Sequence, residues 1–305
     1  MRDPGLPTLD QLRVFIAVID HGGFAHAARA LHRTQSVISY TIANLEEQLN
    51  IELLDRSTRR PALTEAGRAL LADARAVTSK VDGMRSRAKA LGMGLEAELS
   101  IVVDVMFPAC LLVNALEHFQ REFPTVSLRL HTEALGAVAQ MVAERRCQLG
   151  VAGMAAEVPM NFERHAAGFV TMVPVCSPMH PLARETGPIP TAVLREHLQL
   201  VVTDRSPLTE GRDFGVLGLR DWRLGDVGSK HALLRGCLGW GNMPEHMVLR
   251  DLAEGRLVRL HLQEGTEVKY PLFAIHRADD ELGPAGKWLR QKFIDLDHTL
   301  PQDAF

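Results

Sequence analysis

The sequence predicts an α/β protein with a helix-rich head. Three observations predict it. Two short helical runs flank a polar break between residues 24 and 49, residues 65 to 91 contain no proline and carry one apolar seam, and from residue 99 strand-like and helix-like runs alternate. At 305 residues the chain is long for one compact unit and suggests two or three.

The head opens with a helix over residues 8 to 20. Leu9, Leu12, Phe15, Ile16 and Ile19 form its apolar stripe, Thr8 or Asp10 can cap it, and His21-Gly22-Gly23 ends it. Residues 24 to 31 are an alanine-rich helical run, followed by the break His32-Arg33-Thr34. The next helix spans residues 35 to 49. Ile38, Ile42, Leu45 and Leu49 fall on one side, while Gln35, Ser36, Ser39 and Tyr40 make its N-terminal end polar. Two short helices about a tight turn are the pattern of a helix-turn-helix, whose second helix enters the major groove. Arg33 and Thr34 flank that end. Residues 53 to 64 read as strand, turn and strand, with Arg56, Arg59 and Arg60 at the turn, where guanidinium groups can hold phosphates.

In residues 65 to 91 the positions Ala74, Val77, Val81, Met84, Ala88 and Leu91 alternate spacings of three and four. That is a heptad seam, and it favours pairing with a second copy of the chain. Gly83 inside this helix costs about 1 kcal/mol relative to alanine. Gly92-Met93-Gly94 breaks the helix and reads as a hinge.

Beyond the hinge, strands are expected at 99–103, 126–131 and 149–152, with helices at 109–123 and 135–146 between them. This βαβαβ order implies a parallel sheet covered by helices. Further strands are expected at 169–176, 199–202, 223–227 and 270–276, and helices at 230–238, 247–254 and 286–294.

The head resembles the winged helix-turn-helix of the LysR-type transcriptional regulators. The match is dense and colinear over residues 9 to 67. It runs through Leu12, Phe15, Phe24, Ala27, Ala28, Leu31, Gln35, Ser39, Ile42, Leu45 and Glu46, then Leu53, Arg56, Arg59, Leu63, Thr64, Ala66 and Gly67. It departs at Ser36, where the family usually has proline, and at Tyr40, usually a basic residue. The body matches more loosely, through Glu117, Phe119, Phe123, Pro124 and Val126, and through Gly228, Ser229, Gly239, Gly241 and Pro244. Gly150 stands where the family commonly has aspartate.

The resemblance implies a DNA-binding domain over residues 1–64, a dimerising linker helix and hinge over 65–94, and an effector-binding domain over 95–305. That last domain is similar to periplasmic solute-binding proteins. Its lobe I covers about 95–168 and 270–305, its lobe II about 169–269, and the chain crosses between them near 169–175 and 269–274. The expected partners are an inverted-repeat site on double-stranded DNA, a small-molecule effector and further copies of the chain in a dimer or tetramer. RNA polymerase is a further partner that the resemblance allows. The rival expectation is a solute-binding protein or enzyme of the same α/β fold with an incidental helical head.

Composition agrees. Hydrophobic residues make up 46% and charged residues 23%, as in a soluble globular protein, and no apolar run reaches membrane-spanning length. The N-terminal residues lack the apolar core of a signal peptide, so a cytoplasmic location is expected. Residues 1–90 hold 13 of the 34 Lys+Arg and 10 of the 37 Asp+Glu, a slightly basic head on an acidic body.

No catalytic, metal or cofactor signature stands out. There is no phosphate-binding loop, zinc-protease helix or nucleophile elbow, and Gly236, Gly239 and Gly241 follow a helix where a dinucleotide fingerprint would open one. Cys110, Cys147, Cys176 and Cys237 form no C-x-x-C pair and read as buried reduced thiols. An effector cleft is expected where strands end, from Asp104, Met106, Phe107, Thr132, Thr203, Ser229 and Trp240. In the family the loop carrying Asp104 and Met106 often presents hydroxyls to the carboxylate of a small acid. An ionised Asp104 would repel such a group, so a neutral, apolar or cationic effector is expected, unless Asp104 serves only as a helix cap.

Overall fold

The computed structural model describes residues 6–55, 61–153, 161–204, 206–212, 214–263, 265 and 267–296. The chain forms two compact units, Met1–Ala90 and Leu91–Phe305.

In the first unit α1 (Leu9–Asp20), α2 (Phe24–Ala30) and α3 (Gln35–Leu49) follow the expected boundaries closely. Thr8 caps α1 in a capping box with Gln11, each side chain bonding the other's backbone N–H. The apolar stripe of α3 is its inner face. Ile38, Ile42 and Leu45 are fully buried against Val14, Phe15 and Val18 of α1 and Ala27 of α2. Strands β1 (Leu54–Asp55) and β2 (Ala62–Leu63) pair antiparallel as the stem of the wing. The Glu46 carboxylate holds that stem to α3 by accepting from the amides of Leu53 and Leu54 at 2.9 and 3.1 Å. Helix α4 (Glu65–Gly92) follows without a break, and Leu71, Ala74 and Thr78 are its buried side chains.

The second unit carries one mixed nine-stranded sheet in the order β4-β3-β5-β11-β6-β9-β7-β8, with β10 paired to β6. Lobe I is built from β3 (Glu98–Asp104), α5 (Ala109–Glu122), β4 (Ser127–Glu133), α6 (Gly136–Ala143) and β5 (Leu149–Gly153). β3 runs parallel to β4 and β5, as the βαβαβ order requires. Alternation along β3 feeds two cores. Leu99, Ile101 and Val103 pack with α5 residues such as Ala115 and Phe119, and Val102 packs with Val138 and Val142 of α6.

β6 (Phe162–Cys176) then leaves lobe I. Lobe II follows with α7 (Thr191–Glu196), β7 (Gln199–Val202), β8 (Asp221–Leu224), α8 (Val227–Arg235), β9 (Trp240–Pro244), α9 (Glu245–Ala253) and β10 (Val258–Arg259). β11 (Val268–Arg277) returns to lobe I and α10 (Pro284–Ile294) closes it. β6 and β11 are antiparallel and belong to both lobes. β11 pairs β5 at residues 272–275 and β6 from 268 onward, while β6 pairs β9 through residues 172–176. The parallel pairs therefore lie on either side of this antiparallel pair, β3 with β4 and β5 on one side and β7 with β8 and β9 on the other.

Several elements differ from the sequence expectation, which did not include α7 or β10. β6 begins at Phe162, seven residues early. α8 begins at Val227, capped by Asp226. Residues 240–244, where Trp240 was expected at a cleft, form the largely buried strand β9. The thiols also divide: Cys147 and Cys176 are buried, which pushes their pKa values up to about 11 and 12, whereas Cys110 and Cys237 are half-buried. Among the described residues no helix is long and apolar enough to cross a membrane.

Candidate functional site

The outer face of α3 is the first candidate. Thr34 caps the helix, accepting from the Val37 amide at 3.4 Å, and its hydroxyl lies 3.0 Å from that of Ser36. Gln35, Ser36 and Tyr40 are exposed, Tyr40 by 69%, and Ser39 is half-buried. A polar, outward-facing first turn on a helix whose other face buries Ile38, Ile42 and Leu45 is what base readout requires. Two details were not legible in the sequence. Val37 is 44% exposed on the same turn, an apolar group able to meet a thymine methyl. Arg33 is engaged by Asp10 in a bidentate ion pair, both bonds 2.8 Å, which holds the Asp10 carboxyl below the usual carboxylate range. Arg56, Arg59 and Arg60 lie outside the described residues.

The second candidate is the cleft between the two lobes of the body. Three hollows lie along it, of about 160, 370 and 670 Å³. Leu135, Val201, Val202 and Phe214 line both of the smaller two, and Thr203, Asp204, Ser206 and Arg223 line both of the larger two. Asp204 bridges the lobes. Its Oδ2 accepts from the Ala137 amide at 2.8 Å, at the start of α6, and its Oδ1 from the Thr209 hydroxyl. A carboxylate is favoured at a helix N-terminus.

The expected cleft residues separate into groups. Met106 lines the 160 Å³ cavity. Thr132 lines the largest hollow, and Thr203 lines both larger ones. Phe107, Ser229 and Trp240 line none of the three. Phe107 is buried edge-on against Phe293 in the lobe I core. Ser229 is exposed on the first turn of α8, where its amide is taken by the Asp226 cap. Trp240 is fully buried with Cys176, Leu182 and Leu194 in the core of lobe II, because β9 is an interior strand.

Asp104 is 1% exposed and lines none of these hollows. Its carboxylate accepts from the Met106 amide at 2.8 Å and the Tyr270 hydroxyl at 2.9 Å, and from the backbone of Gly153 and Leu135. Burial outweighs these four donors and raises its pKa to about 6. Neither sequence expectation describes it. Asp104 is not a charge presented to a ligand, and the N-cap of α5 is Pro108. It is a hub joining the ends of β3, β5 and β11 to Leu135, which stands at φ 49 in the left-handed region and lines the two inner hollows. Among the described residues, the charged side chain lining the 160 Å³ cavity is Lys230.

The fold also assembles a group that sequence spacing did not show. Glu163 and His165 of β6 and His276 of β11 bring donor atoms within 4.8 Å of one another. Glu163 and His276 are register partners 113 positions apart, so no local motif could reveal them. Arg290 Nη1 lies 3.4 Å from His276 Nε2 and 3.8 Å from Glu163, so a cation already serves this cluster.

Comparison with known proteins bears on both candidates. Residues 9–68 match the model of the bacterial regulatory helix-turn-helix protein, lysR family, and residues 93–296 match the LysR substrate binding domain. Two of the relatives from Escherichia coli K12 are YhaJ and YeeY. The probable HTH-type transcriptional regulator YhaJ is 30% identical over 299 residues, covering 95% of this chain and 96% of its own. The HTH-type transcriptional regulator YeeY is 31% identical over 255 residues, covering 83% and 82%. Among solved structures, full-length LysG from Corynebacterium glutamicum with bound effector Arg superposes with a TM-score of 0.50 at 19% identity, covering 94% of this chain and 97% of that one.

Proposed function

The chain belongs to the LysR-type transcriptional regulators, and from that premise we propose that it binds an inverted-repeat promoter site as a homodimer or homotetramer and answers a small effector held in the interlobe cleft. Membership makes it a DNA-binding transcriptional regulator with an effector-binding domain, in a family that is not enzymatic. The rival expectation of an enzyme or carrier with an incidental head falls with that assignment.

The observation that carries the DNA reading is the two-faced α3, with Ile38, Ile42 and Leu45 fully buried and Gln35, Ser36, Val37 and Tyr40 exposed. Gln35 is suited to an adenine edge, and arginines on the wing to phosphates. The observation that favours an oligomer is on α4, where Val77, Met84 and Leu91 are 46, 58 and 52% exposed along one seam. Contact with RNA polymerase and a cytoplasmic location belong to the same reading.

A gel shift on DNA upstream of the protein's own gene, with random DNA as competitor, tests it. Specific retardation lost in Gln35→Ala supports the assignment of α3. Equal loss on specific and random DNA would remove Gln35 from base reading.

A further inference from the structure

The interlobe cleft has a lysine in the wall of its narrowest part, and this names what the cleft takes, provided that the cleft is the effector site. Lys230 on α8 is 4% exposed. Its Nζ donates to the backbone carbonyl of Asn242 at 2.6 Å, which occupies one of the three ammonium donors. Among the described residues no carboxylate pairs with it. Burial alone pulls its pKa down, to about 8. An ammonium taken out of water without a counter-charge is costly, and the same low dielectric makes it a strong partner for an anion that enters.

The position is built. A Cβ on Gly241 would lie 3.1 Å from Lys230 Cε and 2.5 Å from the Leu200 carbonyl oxygen, so the lysine stem passes where a side chain is missing. The rest of the 160 Å³ cavity is mainly apolar, from Met106, Leu135, Met172, Val202 and Phe214. Its other polar groups are mostly committed. The Tyr270 hydroxyl donates to Asp104, and the Gln199 amide bonds Gly215, Leu217 and Gly218. Lys230 and the side-chain amide of Asn242 remain to meet a ligand.

We propose that the cleft takes a small monoanion with an apolar body, a carboxylate on an acyl chain or a single ring, with its charged end on Lys230 Nζ and its body against Met106, Leu135 and Phe214. A cationic ligand would meet a like charge in this cavity. A dianion would bring a second charge to a cavity wall that holds one cation among its described residues. The expectation of a neutral, apolar or cationic effector rested on Asp104, whose carboxylate takes four donors and is buried outside the cavity.

The test uses the full chain and four probes, hexanoate and benzoate with their neutral counterparts hexanamide and benzamide, read by calorimetry and by thermal shift at pH 7. Wild type is expected to bind the acids at least about tenfold more tightly than the amides. Lys230→Met and Lys230→Gln, the second keeping a donor for the Asn242 carbonyl, should abolish that preference, bringing acid binding down to the level of the amides. Equal binding of acid and amide by wild type, or undiminished acid binding in both variants, overturns the proposal, as does no binding of any probe at millimolar concentration. Val268→Trp separates this from a failure of the cleft reading. Val268 is 59% exposed and lines the cavity, so the indole narrows it without entering the core. Binding abolished by Val268→Trp but indifferent to charge sinks the anion alone. Binding that survives Val268→Trp places the ligand elsewhere and sinks the cleft reading too.

Discussion

The Tyr270 hydroxyl donates to Asp104 Oδ2 at 2.9 Å and so ties β11 to the C-terminal end of β3. The contact exists because residue 153 is glycine: a Cβ there would lie 2.0 Å from Tyr270 Cε1. Tyr270→Phe keeps the ring and removes one of the four donors on Asp104. It should lower the unfolding free energy of the body by about 1–2 kcal/mol. Asp104→Asn should lower it by roughly 2–4 kcal/mol, because an amide nitrogen then faces backbone donors that lose their acceptor. Trp222, Trp240 and Trp288 all fall within residues 91–305, so tryptophan fluorescence during denaturation reads this unit. A larger loss for Tyr270→Phe than for Asp104→Asn would contradict the hub role of Asp104.

The same carboxylate sets a pH dependence. Its pKa is raised to about 6 from 3.8, chiefly by burial. The folded state then holds its proton more tightly than the unfolded state. The stability that this group contributes is fully present below pH 3.8 and lost as pH rises through about 6, a decline of roughly 3 kcal/mol. Carboxyls with lowered pKa values, Asp226 and Asp251 among them, work in the opposite direction. The measurement is therefore the difference between wild type and Asp104→Asn across pH 4 to 7. A destabilisation by Asp104→Asn that is greatest at pH 4 and shrinks toward pH 7 is expected. A flat difference would mean that Asp104 is ionised throughout.

On the recognition helix, Gln35→Ala should weaken specific DNA binding by roughly 1–3 kcal/mol and relax one base position. Val37→Ala should weaken binding only to sites with thymine at one position, by removing contact with its methyl group. Fluorescence anisotropy against a panel of single-base variants of the site checks both. A uniform loss across the panel would make these residues structural, as Thr34 is in capping α3.

The head was the more legible part, and the reason is periodicity. Its helices have one wet and one dry face, so Ile38, Ile42 and Leu45 could be read as core, and all three are fully buried. The body hides its logic in pairings distant along the chain. Trp240, between Gly239 and Gly241, reads as a cleft residue expected where a strand ends. Those glycines instead allow close strand packing, since a Cβ at Gly239 or Gly241 would meet the carbonyl oxygens of Leu198 or Leu200 within 2.6 Å. The opening of β6 was missed because Glu163, Arg164 and His165 look like a polar loop, although β11 pairs with all three. Lys230 carried no signal at all. A lysine on a helix is normally solvated, and only the position of β9 across from α8 buries this one.

The seam on α4 gives the last prediction. Ala74 belongs to the buried face that packs in the head, whereas Val77, Met84 and Leu91, each seven residues from the next, remain 46, 58 and 52% exposed. Apolar groups at heptad spacing on a solvent-facing helix are matched by a second helix with the same pattern. Burying one such side chain contributes roughly 1.5–3 kcal/mol, and a two-fold pairing counts each position twice. Met84→Asp puts a charge on each side of that seam. Fold stability should change little, because Met84 is exposed in the single chain. Dimerisation should weaken by at least about tenfold in analytical ultracentrifugation. Specific DNA affinity should fall with it, because two half-sites are then bound by separate chains, while binding to a single half-site stays the same. An unchanged sedimentation profile for Met84→Asp would assign the association to other surfaces of the chain.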